Sequence, residues 1–288
     1  MHWVPRLIMM CACTLLFAST AQTQTIRLSG DSWELTEKRG VGRITITYIE
    51  TPLFIYTNEA GKLSGVCVDI LKEFLLFLEK EKGVRVVLSI YKPNDDFNIF
   101  LSNVINAEGG VFGLANITIT DARKKVMKFT RPYIKNRAML ASHKDLPTLY
   151  NLDDMPKVFA GCTAFTVRNS TFEQDLLELK QKYFPDMNIE YVSSAGSLAY
   201  KIAETPKSFG KIDFPYYVEA IQKNLPVKAH PVGSSYEDFG FIMPLNSDWK
   251  SVWDEFLEAF VRSARYRQLL IKHFGEAPTD LLLGTAQP

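Results

Sequence analysis

Cysteine and histidine are scarce in this 288-residue chain, with four of each. Cys11 and Cys13 fall in an N-terminal apolar run, which leaves Cys67 and Cys162. Two cysteines so far apart make neither a metal site nor a disulfide framework. They read as buried small hydrophobes, with a single disulfide between them as the alternative. His143, His230 and His273 are scattered, and no Ser-His-Asp or Cys-His arrangement accompanies them. Gly109-Gly110 is a turn and no phosphate cradle. Charge excess is also missing: 33 Lys and Arg stand against 32 Asp and Glu. Without a basic stripe or an acidic tail, nucleic acid is excluded as a partner and disorder as a state. No cofactor or metal is implied. Internal repeats and low-complexity segments are absent too.

Hydrophobic residues make up 47% of the chain, enough for a real core in one or two domains. Arg6, an uncharged run from Leu7 to Ala18, and Ser19-Thr20-Ala21 form the pattern of a cleavable secretory signal over 1–21. The alternative, a membrane anchor, needs roughly 20 apolar residues, and this run is shorter. The mature chain is expected to begin near Gln22 and to work outside the cytoplasm, periplasmic or extracellular. Residues 22–40 read as a polar arm.

The periodicities alternate between two kinds. Arg43–Ile49 alternates as a strand, Val68–Lys82 repeats apolar residues at helical spacing, and Val84–Tyr91 returns to a strand. Helix over 97–108 and strand over 111–117 follow. A second such unit is predicted from a strand at Val158–Cys162. Next come a helix opened by Ser170 and Glu173 at capping-box spacing and a strand over 189–192. Helix over 197–204, strand over 211–214 and helix over 217–223 complete it. Strand over 239–243 and an amphipathic helix from Trp249 to Val261 close the chain. This order is that of parallel α/β units.

Several ordered stretches then match a known pattern: Gly61-Lys62-Leu63-Ser64-Gly65-Val66-Cys67-Val68-Asp69-Ile70, Ile117-Thr118-Ile119-Thr120-Asp121-Ala122-Arg123, Phe129-Thr130-Arg131-Pro132-Tyr133 and Phe239-Gly240-Phe241-Ile242-Met243-Pro244. In these the chain resembles the bacterial extracellular solute-binding proteins of the polar-amino-acid type, over about Ile44 to Gly275. The ligand-binding core of ionotropic glutamate receptors is a relative. The resemblance implies an α/β, two-lobed periplasmic-binding-protein-like fold of type II, two Rossmann-like lobes joined by a two-strand hinge. Lobe one would be 40–137 plus 236–288, and lobe two 138–235. It implies a non-enzymatic monomer that captures a small ligand between its lobes for a membrane permease of an ABC-type transporter. A sensor uncoupled from transport and a dehydratase-like enzyme are the alternatives on this fold.

The same resemblance nominates the ligand contacts. Arg123 would pair with a ligand carboxylate through its planar fork; the alternative is a surface arginine in Arg123-Lys124-Lys125. Asn116 and Thr118 precede it at family spacing, while Thr120 reads as a helix cap. Ser170 and Thr171 open a helix whose free N–H groups favour anions, and an ordinary cap is the alternative. The carboxylate that usually follows Gly-x-x-Asp-Ala is missing, because Tyr217 or Val218 stands in its place. Either Asp213 or Glu219 substitutes for it, or the ligand is no standard α-amino acid. Glu50 and Phe54 are placed in a loop that lines the cleft, with core as the alternative for Phe54. Asp69 reads as structural, in the first turn of its helix.

Overall fold

The computed structural model describes residues 27–94 and 96–284. The expected leader over 1–21 lies outside them. Among the described residues, no helix is long and apolar enough to cross a membrane.

Two sheets form two lobes. The first runs Arg85–Ile90, Val41–Tyr48, Val111–Leu114, Ile242–Met243, Lys128–Phe129. Its first three strands are parallel, and Ile242–Met243 runs antiparallel to its neighbours. Parallel neighbours need crossovers, and helices Val66–Glu81 and Phe97–Ile105 supply them. The core of this lobe is aromatic. Phe74 stacks on Trp253 with ring centroids 3.6 Å apart, and Phe112 and Phe241 meet the same indole edge-on.

The second sheet runs Val227–Ala229, Ile134–His143, Ser208–Asp213, Thr163–Val167, Asn188–Val192. The chain crosses between lobes along Ile134–His143 and returns along Ser235–Phe239. These two segments pair antiparallel, Ile134 with Phe239 through Ala138 with Ser235. Beyond Ala138 the outgoing strand pairs within the second sheet, with Ser208–Asp213 on one edge and Val227–Ala229 on the other.

Helices Ala264–Phe274 and Glu276–Leu283 follow the helix expected to close the chain, and three further differences from the sequence reading bear on the lobes. The arm over 22–40 contains a helix, Trp33–Arg39, capped by Ser32 and closed by Gly40 in the left-handed region. Asp248 accepts its first N–H groups from Trp33 and Glu34, which docks it on lobe one. The strand expected at 158–162 begins instead at Thr163; Met155–Val158 is a helical turn with Pro156 in its first positions. A run as short as the five residues 158–162 has no period that separates the two states. The returning strand breaks at Gly240, where it leaves the hinge pairing for the first sheet. Cys67 and Cys162 are both free and buried, in the cores of different lobes. Burial pushes the Cys67 thiol up to about 12.

His230 is buried in the lobe-two core, edge-on to Phe159. Its Nδ1 accepts the Leu149 N–H at 3.0 Å, and its Nε2 has no partner among the described residues. Burial, with Lys228 nearby, lowers its pKa to about 4. A folded pKa below the unfolded value means that the unfolded chain takes up the proton first. This contribution is complete above about pH 6.5 and is lost as the pH falls towards 4, by up to about 3 kcal/mol. The wild type should therefore lose more stability than His230→Gln between pH 7 and pH 4.5. Denaturant melts of both proteins test this, and parallel losses would contradict it.

Candidate functional site

The lobes face each other across a cleft with about 530 Å³ of empty space, its open mouth included. Lobe one contributes Asn116, Thr118 and Arg123 from the loop and short helix after strand Val111–Leu114, with Phe97 at the side. Lobe two contributes Ser170, Thr171 and Asp213, with Ser194 and Ala195 at the start of another helix. Glu237 comes from the returning hinge strand.

Arg123 is positioned by its own short helix. Thr120 caps that helix by accepting the Arg123 N–H at 3.2 Å. The guanidinium then reaches across the cleft. Nη1 donates to Thr118 O at 3.0 Å and Nη2 to Asn169 O at 3.3 Å, while Phe97 lies 5.4 Å below its carbon. Burial lowers its pKa and the negative charge of Glu237 opposes that change; a guanidinium stays charged regardless.

Asn169 has a φ of +60°, a conformation that asparagine tolerates better than most residues. Its side chain donates to Asn98 Oδ1 of lobe one at 2.8 Å. Ser170 follows as the N-cap, accepting the Glu173 N–H at 3.2 Å. The Glu173 carboxylate reaches back to accept the Asn169 N–H, one residue beyond the N-cap N–H that a standard capping box uses. The Ser170 hydroxyl also donates to Val167 O, so its bonding is local.

Asp213 is buried and holds two amide donors. Asn116 Nδ2 of lobe one donates to Oδ2 at 2.8 Å, and Asn136 Nδ2 of the outgoing hinge strand donates to Oδ1 at 2.6 Å. Burial raises the Asp213 pKa well above the carboxylate range, the charge of Glu237 adds to this, and the two amides oppose it. Glu237 is raised as well, first by burial, while Thr171 favours its charged form. The cleft thus sets one guanidinium against a pair of desolvated carboxylates.

Glu50 and Phe54 are not brought to the cleft. Glu50 accepts from the backbone and hydroxyl of Thr57 at the surface. Phe54 is fully buried among Tyr216, Phe239 and Phe274. The loop between Ile49 and Ile55 turns its aromatic inward and offers Ile49 and Thr51 to the cleft instead. Glu219 pairs with Lys223 and Tyr200, away from the lining. Asp69 anchors Lys72, Lys272 and His273 on lobe one, and this cluster holds its carboxyl far below the usual range despite partial burial.

Residues 44–276 match the model of the bacterial extracellular solute-binding proteins, family 3. The chain belongs to this family. Among solved structures, this family 3 protein is similar to the arginine-, lysine-, histidine-binding protein ArtJ from Geobacillus stearothermophilus. The two are 21% identical with a TM-score of 0.65, covering 84% of this chain and 99% of ArtJ. It is also similar to the GluR0 ligand-binding core from Nostoc punctiforme in complex with L-glutamate. Identity there is 19% and the TM-score 0.64, over 81% of this chain and 99% of the core. A probable glutamate receptor of Gallus gallus is 25% identical over 129 residues, 42% of this chain. The chain spans about a quarter of that receptor's length, 26%. These likenesses show the two-lobed type II fold.

Within this family 3 protein, sequence reasoning missed Glu237 as a lining residue and Asn136 as the buried donor behind Asp213. Both are placed by strand register rather than by a contiguous motif. No local signal marked Glu237, because Ser235-Tyr236-Glu237-Asp238-Phe239 does not alternate polar and apolar residues; only the strand it forms turns positions 235, 237 and 239 the same way.

The lobes also touch at Gly196, the second residue of helix Ala195–Glu204. A methyl group there would lie 2.4 Å from Pro52 Cδ of lobe one. Its backbone is helical, so alanine favours the helix itself by about 1 kcal/mol. Gly196→Ala should therefore fold normally yet hold the lobes apart, since overpacking costs about 1–3 kcal/mol. Small-angle scattering should give the variant a larger radius than the wild type wherever the wild type is closed. Equal radii would show that closure does not reach Pro52.

Proposed function

We propose that this protein captures a small amino acid or similar zwitterion outside the cytoplasm and delivers it to a membrane permease of an ABC-type transporter, leaving it chemically unchanged. The observation that carries the reading is the opposition of a guanidinium and acidic side chains across the cleft. Arg123 suits a carboxylate, and the buried Asp213, backed by Glu237, suits an ammonium. Asp213 thereby takes the place of the carboxylate absent at Tyr217 and Val218. Thr118 and the start of the Thr171–Lys182 helix complete the polar lining. The family's extracellular character supports a location outside the cytoplasm. The names of ArtJ and of the glutamate-bound GluR0 core support an amino acid as the ligand class.

Binding and release fit a hinge motion about the paired strands Ile134–Ala138 and Ser235–Phe239. The contacts that bridge the cleft mouth, Arg123 to Asn169 and Asn169 to Asn98, are partly exposed. Water replaces such bonds at little cost when the lobes part.

A thermal-shift screen with amino acids, dicarboxylates and small amines should find a stabilising ligand, since binding to the folded state alone raises its stability. Arg123→Ala should then weaken that ligand by roughly 30-fold to several thousand-fold, from the about 2–5 kcal/mol lost when one partner of a buried charge pair is removed. Arg123→Lys should also bind poorly, because an ammonium lacks the bidentate fork. Both variants should melt as the wild type does. Calorimetry with mass analysis of the recovered ligand decides the matter. Wild-type affinity in Arg123→Ala would reject the carboxylate assignment, and a converted ligand would make the protein an enzyme.

A further inference from the structure

Among the described residues, Leu53, Asn169 and Asn224 are the non-glycine positions with a left-handed backbone. Asn224 closes a helix, a common place for such a residue: its N–H returns to Ile221 O just beyond Phe214–Gln222. Asn169 closes none. It stands in the turn between strand Thr163–Val167 and helix Thr171–Lys182, at the cleft mouth.

Three of its polar groups are in use. Glu173 Oε2 of its own lobe accepts its N–H at 2.5 Å. Its carbonyl accepts Arg123 Nη2 at 3.3 Å, and its Nδ2 donates to Asn98 Oδ1 at 2.8 Å. Both of these partners belong to lobe one. Glycine is the default residue at a φ of +60°, and glycine would keep both backbone bonds. What asparagine adds is the bond to Asn98.

The receiving amide is held in place. Asn98 lies in the first turn of helix Phe97–Ile105, where the cap Asp96 accepts its N–H at 2.7 Å and that of Ile99 at 3.2 Å. Phe97, the residue before it, lies under the Arg123 guanidinium. One cap thus fixes both the acceptor and the ring beneath the arginine, while Glu173 fixes the backbone of Asn169. A bond between groups already anchored in their own lobes costs little further freedom. Neither amide is charged and neither titrates, so the bond forms with closure whatever charge the ligand carries.

We propose that Asn169 is a positioning residue for ligand capture: its side chain latches lobe two onto Asn98 of lobe one, and its carbonyl steadies the Arg123 guanidinium as the latch engages. The proposal rests on the hinge motion described above. Part of the drive to close then comes from the protein alone, and the ligand supplies the rest. One net hydrogen bond changes the closed-to-open ratio by about 2- to 10-fold.

The test is double electron–electron resonance on the full chain with no ligand added, with spin labels at Lys125→Cys in lobe one and Gln174→Cys in lobe two, both exposed. The native thiols Cys67 and Cys162 are buried and escape labelling. The distances should fall into a shorter, closed population and a longer, open one. Asn169→Gly and Asn98→Ala should each move the ratio towards the longer distance by about 2- to 10-fold. The double variant should move it no further than either alone. Asn98→Asp keeps an acceptor for the Asn169 amide and should retain at least the wild-type closed fraction. Melting temperatures should stay at the wild-type value, because glycine suits this φ and alanine suits a helix. A merely structural role would lower them and leave the ratio unmoved. Two populations with an unchanged ratio in both single variants, or shifts that add in the double variant, overturn the latch and leave the hinge reading standing. A single distance shared by the wild type and every variant overturns both.

Discussion

One buried carboxylate ties the molecule together. Asp213 ends a lobe-two strand, takes one amide from Asn116 of lobe one, and takes another from Asn136 of the hinge. Burying a charge is tolerable only where hydrogen bonds replace its lost water. Each of the three segments is thus held to the others by the same requirement. The arrangement also concentrates electrostatic consequences at one place. Low local dielectric strengthens every charge interaction near Asp213, that with Glu237 included.

The polar hinge floor sits between two apolar systems with different tasks. Lobe-two cores lie on both faces of its sheet, around Phe165, Ile202 and Ile212 on one side and Phe159, Leu176 and Phe209 on the other. The Lys211–Asp175 pair crosses the second side, and it fastens the helix Thr171–Lys182 to the sheet and to Ser235. That helix begins with the residues that line the cleft. A charged pair at its first turns keeps the lining in register with the hinge strand, something apolar packing alone specifies less sharply. The interaction gains little net stability where desolvation offsets it; its consequence is placement.

Legibility in the sequence followed locality. Asn116, Thr118 and Arg123 occupy one contiguous stretch, and the structure gathers them on one wall of the cleft. Ser170 and Glu173 announced a helix start by spacing alone, and the cap formed there. Glu237 and Asn136 carried no such mark, because their meeting depends on which strands pair and in what register. Phe54 illustrates the reverse. An aromatic in a loop suits a ligand or a core equally well, and only the packed neighbours Tyr216, Phe239 and Phe274 separate the two. The helix Trp33–Arg39 escaped because its seven residues show too little periodicity, while its stability comes from Ser32, Asp248 and the contact of Trp33 with Trp249.

The same aromatic cluster explains where the molecule can bend. Tyr216 belongs to a lobe-two helix, yet it is fully buried in the lobe-one core against Phe54. Withdrawing such a ring would expose apolar surface at about 25 cal/mol per Å², several kcal/mol in all. At the opposite side of the interface the lobes meet through Asn98, Asn169 and Arg123, whose bonds water replaces readily. Resistance to separation is therefore high beside the crossing strands and low at the mouth. A rotation that keeps Tyr216 seated while the polar mouth parts is the motion of least cost. Its axis passes near the strands that carry Asn136 and Glu237. The residues that hold the cleft's charge thus move least, and the donors of lobe one swing onto a floor that is already in place.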